Sequence, residues 1–251
     1  MSWSSKRKFN YIAIFLLVVL VPLGFVIFKF FYHPPTCQDG EQNQKEEGID
    51  CGGPCLTVCG FEIINPIIHW SRVSKMLDGK YSATTLIENP NVSAEAYEVP
   101  YIFKLYDGGG LLVNEYLGTT FIPANKTFPI FTGMLDVGNR DPQKVVFEFT
   151  ESPHWVETAP DPEVLVDNIL FSEKNGLPRV SAKVYNHTTK EIKDIELVVL
   201  LLDDQNNLIN SSKTVVDSVR KNSSEEVVFT WPASFDRTVF KVNIFFVSKL
   251  K

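Results

Sequence analysis

Cysteine, histidine and methionine are scarce in this chain of 251 residues, with four, four and three copies. No cysteine follows Cys59, so everything beyond it lacks both disulfides and thiolate metal sites. The histidines His33, His69, His154 and His187 are scattered without metal-ligand spacing. H-E-x-x-H, G-x-S-x-G and G-x-x-x-x-G-K-[ST] are all missing, and no G-x-G-x-x-G follows a strand pattern. The chain therefore carries none of the fingerprints of zinc peptidases, serine hydrolases, P-loop enzymes or dinucleotide-binding enzymes. No cofactor or metal is expected. Positive charge is short as well: residues 33 to 251 hold 20 basic and 30 acidic side chains, a balance of −10. A surplus of that sign repels phosphate backbones and excludes nucleic acid as a partner for the body of the protein.

What is present begins with an apolar run. Tyr11 to Phe28 contains no charged residue, and Phe30, Phe31 and Tyr32 prolong the run beyond Lys29. About twenty-two helical residues reach about 33 Å, enough for a bilayer core of about 30 Å. Lys6, Arg7 and Lys8 precede it, while the bulky KFFYHPPT after it lacks the small residues of a cleavage site. Residues 9–32 are expected to be an uncleaved transmembrane signal-anchor, with the lipid bilayer as partner. By the positive-inside rule, residues 1–8 form a cytoplasmic tail and the rest an extracytoplasmic ectodomain at the cell membrane.

All four cysteines, Cys37, Cys51, Cys55 and Cys59, lie in a short segment just beyond, residues 33–60. Their C-x13-C-x3-C-x3-C spacing lacks the C-x2-C pairs of zinc ribbons, and an oxidising compartment favours disulfides. Two intramolecular bonds are expected in a stapled stalk, with three pairings open. Asp39, Asn43, Glu46, Glu47 and Asp50 group around the first loop as a solvated acidic turn. Their order does not fit an EF-hand calcium loop.

From residue 61 the chain is rich in Val, Ile, Phe, Tyr and Thr, broken every 8 to 12 residues by Gly, Pro, Asn or Asp. This is an all-β pattern, with period-2 alternation at Val145, Phe147 and Phe149 and again at Phe240, Val242, Ile244 and Phe246. The run from Ile195 to Leu202 is continuous and reads as a strand buried on both faces. An internal repeat with a period near 97 residues pairs YSATTLIEN with VSAKVYN and FKLYDGGGLL with VLLLDDQNNL. Each copy reads as a strand, a strand ending in Asn, a long strand ending in Asp, a tight turn and three more strands. Asp107 and Asp203 close the long strands, where an Asp side chain bonds backbone amides two residues on. The fold expected is two tandem β-sandwiches of immunoglobulin or fibronectin type, over residues 61–158 and 159–251. The join falls in ESPHWVETAPDPEV.

The string YIFKLYDGGGLL resembles the signature of the FxLYD-type domain, carried here by Phe103, Leu105, Tyr106 and Asp107. The likeness covers residues about 62 to 157; the second copy has Val199-Leu200-Leu201-Leu202-Asp203 in place of the signature aromatics. The cysteine segment resembles a short DCGG-x-C module of bacterial envelope and surface proteins. These resemblances imply a small sandwich on a membrane-anchored extracytoplasmic protein, and no catalytic residue can be carried over from them.

Gly108, Gly109 and Gly110 are expected to make a hairpin turn. Trp231, in phase with Val227 and Phe229, is expected in the core rather than as a platform for sugars. Sequons begin at Asn91, Asn125, Asn186, Asn210 and Asn222. The function expected is a non-enzymatic binding or structural module of the cell envelope, with an envelope protein or the cell wall as partner and self-association as an option. The alternative is an envelope hydrolase or a carbohydrate-binding accessory protein.

Overall fold

The computed structural model describes residues 3–31, 36–60, 63–158 and 164–248; within 3–31 the side chains of 3–10, 13, 30 and 31 stay outside that description. His33 and residues 159–163 of the expected join also lie outside it. The chain divides into two compact units, Met1–Cys55 and Leu56–Lys251.

In the first unit a single helix, α1, covers Trp3–Phe31, with Pro22 inside it and Lys29 in its last turn. Among the described residues no helix is long and apolar enough to cross a membrane. The span expected over residues 9–32 is thus not met among them. The cysteine segment that follows has no α-helix among its described residues; it is a set of turns closed by the antiparallel bridge Gly48↔Cys51.

The second unit is all β and β-sandwich-like. Strands β1 (Ile67–Leu77), β2 (Lys80–Asn89) and β5 (Lys126–Asp136) form one sheet in the order β1-β2-β5. Strands β3 (Ala94–Asp107), β4 (Leu112–Ile122) and β6 (Pro142–Phe149) form a second in the order β4-β3-β6, and the short β7 (Trp155–Glu157) pairs with the start of β3. The same plan recurs. Strands β8 (Val164–Lys174), β9 (Leu177–Asn186) and β12 (Ser223–Thr230) pair as β12-β9-β8, and β10 (Ile192–Leu202), β11 (Leu208–Val219) and β13 (Lys241–Ser248) pair as β11-β10-β13. All of these pairings are antiparallel.

Alternation builds a core for each copy. Val99, Tyr101, Phe103 and Leu105 on β3 point to one side and meet Tyr81, Ala83 and Ile87 of β2, Phe128 and Ile130 of β5 and Phe147 of β6. Phe103 stacks edge-on against Tyr101 and Phe147, with ring centres 5.4 and 5.2 Å away. Burying a side chain of that size contributes about 2–3 kcal/mol. In the second copy Ile195, Leu197, Val199 and Leu201 of β10 meet Val180, Ala182 and Val184 of β9 and Val227 and Phe229 of β12. Trp231 joins them, 2% exposed, and its indole N–H donates to the Ser211 carbonyl at 3.2 Å.

The repeat extends to the hydrogen bonds. Asn89 and Asn186, 97 residues apart, end equivalent strands: each Oδ1 accepts the amide two residues on, and each Nδ2 donates to two carbonyls (Ala94 and Pro123; Lys190 and Val219). Asn125 and Asn222, also 97 apart, both sit in the left-handed region at φ 50°, which asparagine tolerates better than most residues. The period read from the sequence is therefore a repeated structural unit.

The copies also touch. On the face of β10 turned away from its own core, Val198, Leu200 and Leu202 are buried together with Leu208 of β11. Trp70 of β1, Leu86 of β2 and Phe131 of β5 pack on this cluster. This is why Leu197–Leu202 is apolar on both faces. The same contact buries polar groups, since Ser82 and Thr84 on β2 are 0% and 1% exposed. The Thr84 hydroxyl meets that of Ser211 at 2.6 Å, and Asn210 Nδ2 donates to the Lys75 carbonyl at 2.9 Å.

Candidate functional site

Beside this contact the two copies enclose a cleft of about 510 Å³, within the size range of ligand sites. Its first wall comes from β3, β4 and β5. The pairing of β3 with β4 shifts register between Ala96 and Val99, and in this bulge Glu98, at φ 50°, lines the cleft. Tyr97 stands beside it, its ring 4.8 Å from that of Phe121, its hydroxyl donating to Glu95 at 2.5 Å. Tyr101 lines the floor, where its hydroxyl meets that of Thr132 at 2.9 Å. Burial pushes the Tyr101 phenol up from its ordinary value, against the bond to Thr132 that lowers it, with the Glu196 charge adding to the rise.

The second wall comes from β10, β11 and β13, with Asp194, Glu196, Lys213 and Phe245. Asp194 is the counterpart of Glu98, 96 residues later, and it too has φ 50°. Two acidic residues at equivalent left-handed positions thus face one cleft from opposite copies. Lys213 reaches Glu196 at 3.4 Å. Lys126, at the start of β5, places its ammonium 4.3 Å from the centre of the Phe246 ring, a cation–π contact across the copies.

The residues singled out in the sequence go elsewhere. Asp107 Oδ1 accepts the amides of Gly109 and Leu111 at 2.9 and 3.0 Å, and Asp203 Oδ1 those of Gln205 and Asn207 at 3.0 and 2.8 Å. Both are turn residues, as expected, and Gly108–Gly110 are the turn itself. Of the FxLYD residues, Phe103 and Leu105 are core and Tyr106 is half-buried. His69 pairs with Glu88 at 2.9 Å on β1 and β2, and His187 stacks on Tyr185 at 6.0 Å between ring centres. Three sequon asparagines, Asn91, Asn186 and Asn210, are buried with their Nδ2 groups donating to carbonyls, while Asn125 and Asn222 are exposed.

In the cysteine segment Cys37 and Cys55 are joined, with Cα atoms 5.6 Å apart; Cys51 and Cys59 are also disulfide-bonded and no cysteine is free. Cys37, Cys55 and the buried Glu46 bring their ligand-type atoms within 4.8 Å of one another. Sulfurs joined to each other carry no thiolate charge, so this cluster does not fit a metal. The acidic loop turns its oxygens to amides instead. Asp50 accepts from Asp39 and Gly40, and Glu46 accepts from Asn43 and Asp50. Amide donation from Thr36, then the Asn43 side chain and the Glu41 amide, hold Asp39 below the ordinary carboxylate value. The double glycine closes this arrangement: a Cβ at Gly53, φ +58°, would lie 2.3 Å from the Lys45 carbonyl oxygen.

No protein-family model and no curated protein matches the chain. Among solved structures it is similar to red sea bream transglutaminase, at 11% identity over 75% of this chain and 32% of that one, with a TM-score of 0.23. A second is a β-glucuronidase of Bacteroides uniformis, at 8% identity over 68% and 26%, with a TM-score of 0.22. The chain thus spans a third or less of the proteins it matches, and at these scores the likeness bears on neither fold nor activity.

Proposed function

We propose that this protein is a non-enzymatic, membrane-anchored extracytoplasmic module that presents a pair of β-sandwiches of immunoglobulin or fibronectin type to an envelope partner. The observation that carries this reading is the surface of α1. Every large apolar side chain described from Tyr11 to Phe28 is exposed, from 43% at Val19 to 68% at Tyr11. Consecutive residues point all around a helix, so this one is apolar on every face, which is stable only inside a bilayer or a protein core. Lys6, Arg7 and Lys8 favour a cytoplasmic N-terminus, and the disulfides suit an oxidising exterior. The FxLYD-type and DCGG-x-C resemblances agree with that location. Asp107, Asp203, Asn89 and Asn186 spend their side chains on turns and strand ends, which suits a scaffold.

Flotation of the full chain with phospholipid vesicles tests the anchor, beside a variant lacking residues 9–32. The full chain should float through alkaline carbonate washing and the deletion should stay at the bottom; a full chain left in the soluble fraction overturns the reading. Capture from solubilised envelope, run beside a panel of glycan and peptide substrates, tests the rest. Turnover lost on one carboxylate substitution with the fold intact would replace the binding reading with the hydrolase one.

A further inference from the structure

We propose that the cleft between the two β copies is a binding site for a cationic peptide segment of a partner protein, with arginine or lysine side chains seated between Glu98 and Asp194. This rests on the reading of the chain as a binding module and gives that module a site and a ligand chemistry. Three features of the described cleft point the same way. Glu98, Asp194 and Glu196 bring three carboxylates to it, and Lys213 is its one basic side chain. Lys213 reaches Glu196 at 3.4 Å, while no side-chain hydrogen bond or ion pair of Glu98 or Asp194 is found among the described residues. Two carboxylates therefore face the cleft without a counter-charge.

The rest of the lining is largely apolar and includes aromatic rings, Tyr97, Tyr101 and Phe121 on one side and Phe245 on the other. Ring faces beside carboxylates suit guanidinium and ammonium groups, which gain from both the ring quadrupole and the charge. They do not suit an anion, and a neutral sugar leaves the carboxylates unneutralised. Finally, the acids belong to both copies at the same place in the repeat, Glu98 and Asp194, so one extended segment crossing the cleft meets an acidic group from each. A volume of about 510 Å³ holds a few side chains rather than a folded domain.

The test uses the full chain in neutral detergent micelles and a fluorescent tetra-arginine peptide with blocked ends, followed by anisotropy at low and moderate salt. Tetra-arginine should bind and a blocked tetra-glutamate peptide should not. Glu98→Gln with Asp194→Asn should weaken binding about tenfold, the scale of a hydrogen bond to a charged group. The exposed pair Glu151→Gln with Glu173→Gln, outside the cleft, should leave it unchanged. Lys213→Ala should tighten binding about threefold, the size of one exposed ion pair, a gain that no loss of folding can mimic. No binding by tetra-arginine, equal weakening by both pairs of substitutions, or no gain with Lys213→Ala overturns the proposal. Flotation of the same samples separates the two ideas: a chain that floats but ignores the peptide keeps its anchor and loses this site, and a chain that binds the peptide without floating does the reverse.

Discussion

Asp107 and Asp203 stand 96 residues apart and make the same turn: in each, one carboxylate oxygen accepts the amides two and four residues ahead. The Asp203 carboxyl is held below its ordinary value, first by the Asn207 amide and then by the Asn207 side chain, the Gln205 amide and the Arg237 charge. A depressed folded value means the turn stabilises the protein above the unfolded carboxylate value of about 3.9 and loses that contribution as pH falls through the folded value. Asp203→Asn should flatten this part of the acid limb. Urea midpoints of both proteins between pH 5 and pH 2.5 check it, and the gap between them should close at the acid end.

At the alkaline end, Tyr81 is the group to watch. Burial, then the bond its hydroxyl donates to Asp141, pushes the phenol up to about 12. A raised folded value keeps the stabilisation intact below about 10, the unfolded value, and removes it progressively as pH rises to about 12. Tyr81→Phe should lower the urea midpoint at pH 8 and show a shallower fall than the parent between pH 10 and 12.

The contact between the copies should govern cooperativity. Leu200, at its centre, has Lys104 as its counterpart in the first copy. Leu200→Lys places an ammonium against Trp70, Leu86 and Phe131 and should cost several kcal/mol at the contact. Calorimetry should show one transition for the parent and two for the variant. Ser211→Ala, which leaves the buried Thr84 hydroxyl short of a partner, should cost about 1–3 kcal/mol, with part recovered in the double variant Thr84→Val, Ser211→Ala.

Gly53→Ala should cripple the cysteine segment. The left-handed backbone alone costs an alanine about 1–2 kcal/mol, and the added Cβ meets the Lys45 carbonyl. Alkylation without reductant followed by mass measurement should find free thiols in the variant and none in the parent.

The repeat was legible because its punctuation is chemical: Asn89 and Asn186, Asp107 and Asp203 use side-chain oxygens on the backbone, and such turns demand those residue types. The doubly buried part of β10, Leu197–Leu202, was legible for the same kind of reason, a run of apolar residues with no polar face. What covers its second face was not. Ser82 and Thr84 are buried there but polar, and Trp70, Leu86 and Phe131 come from three different strands. The cleft was invisible because its lining comes from six strands, and a side chain's neighbours across two sheets leave no trace in spacing. At the positions that match this contact on the other copy, Arg179 and Lys183 replace Ser82 and Leu86. Those charges keep the same contact from repeating chain to chain, which weighs against the self-association expected as an option.

The central claim is the placement of the β unit outside the membrane, held by residues 9–32. Alkaline phosphatase fused after Gly60 in a bacterial host tests it directly, because that enzyme folds only in an oxidising compartment. The account predicts an active fusion, matching a periplasmic control; an inactive fusion made at the same level as an active control would contradict it.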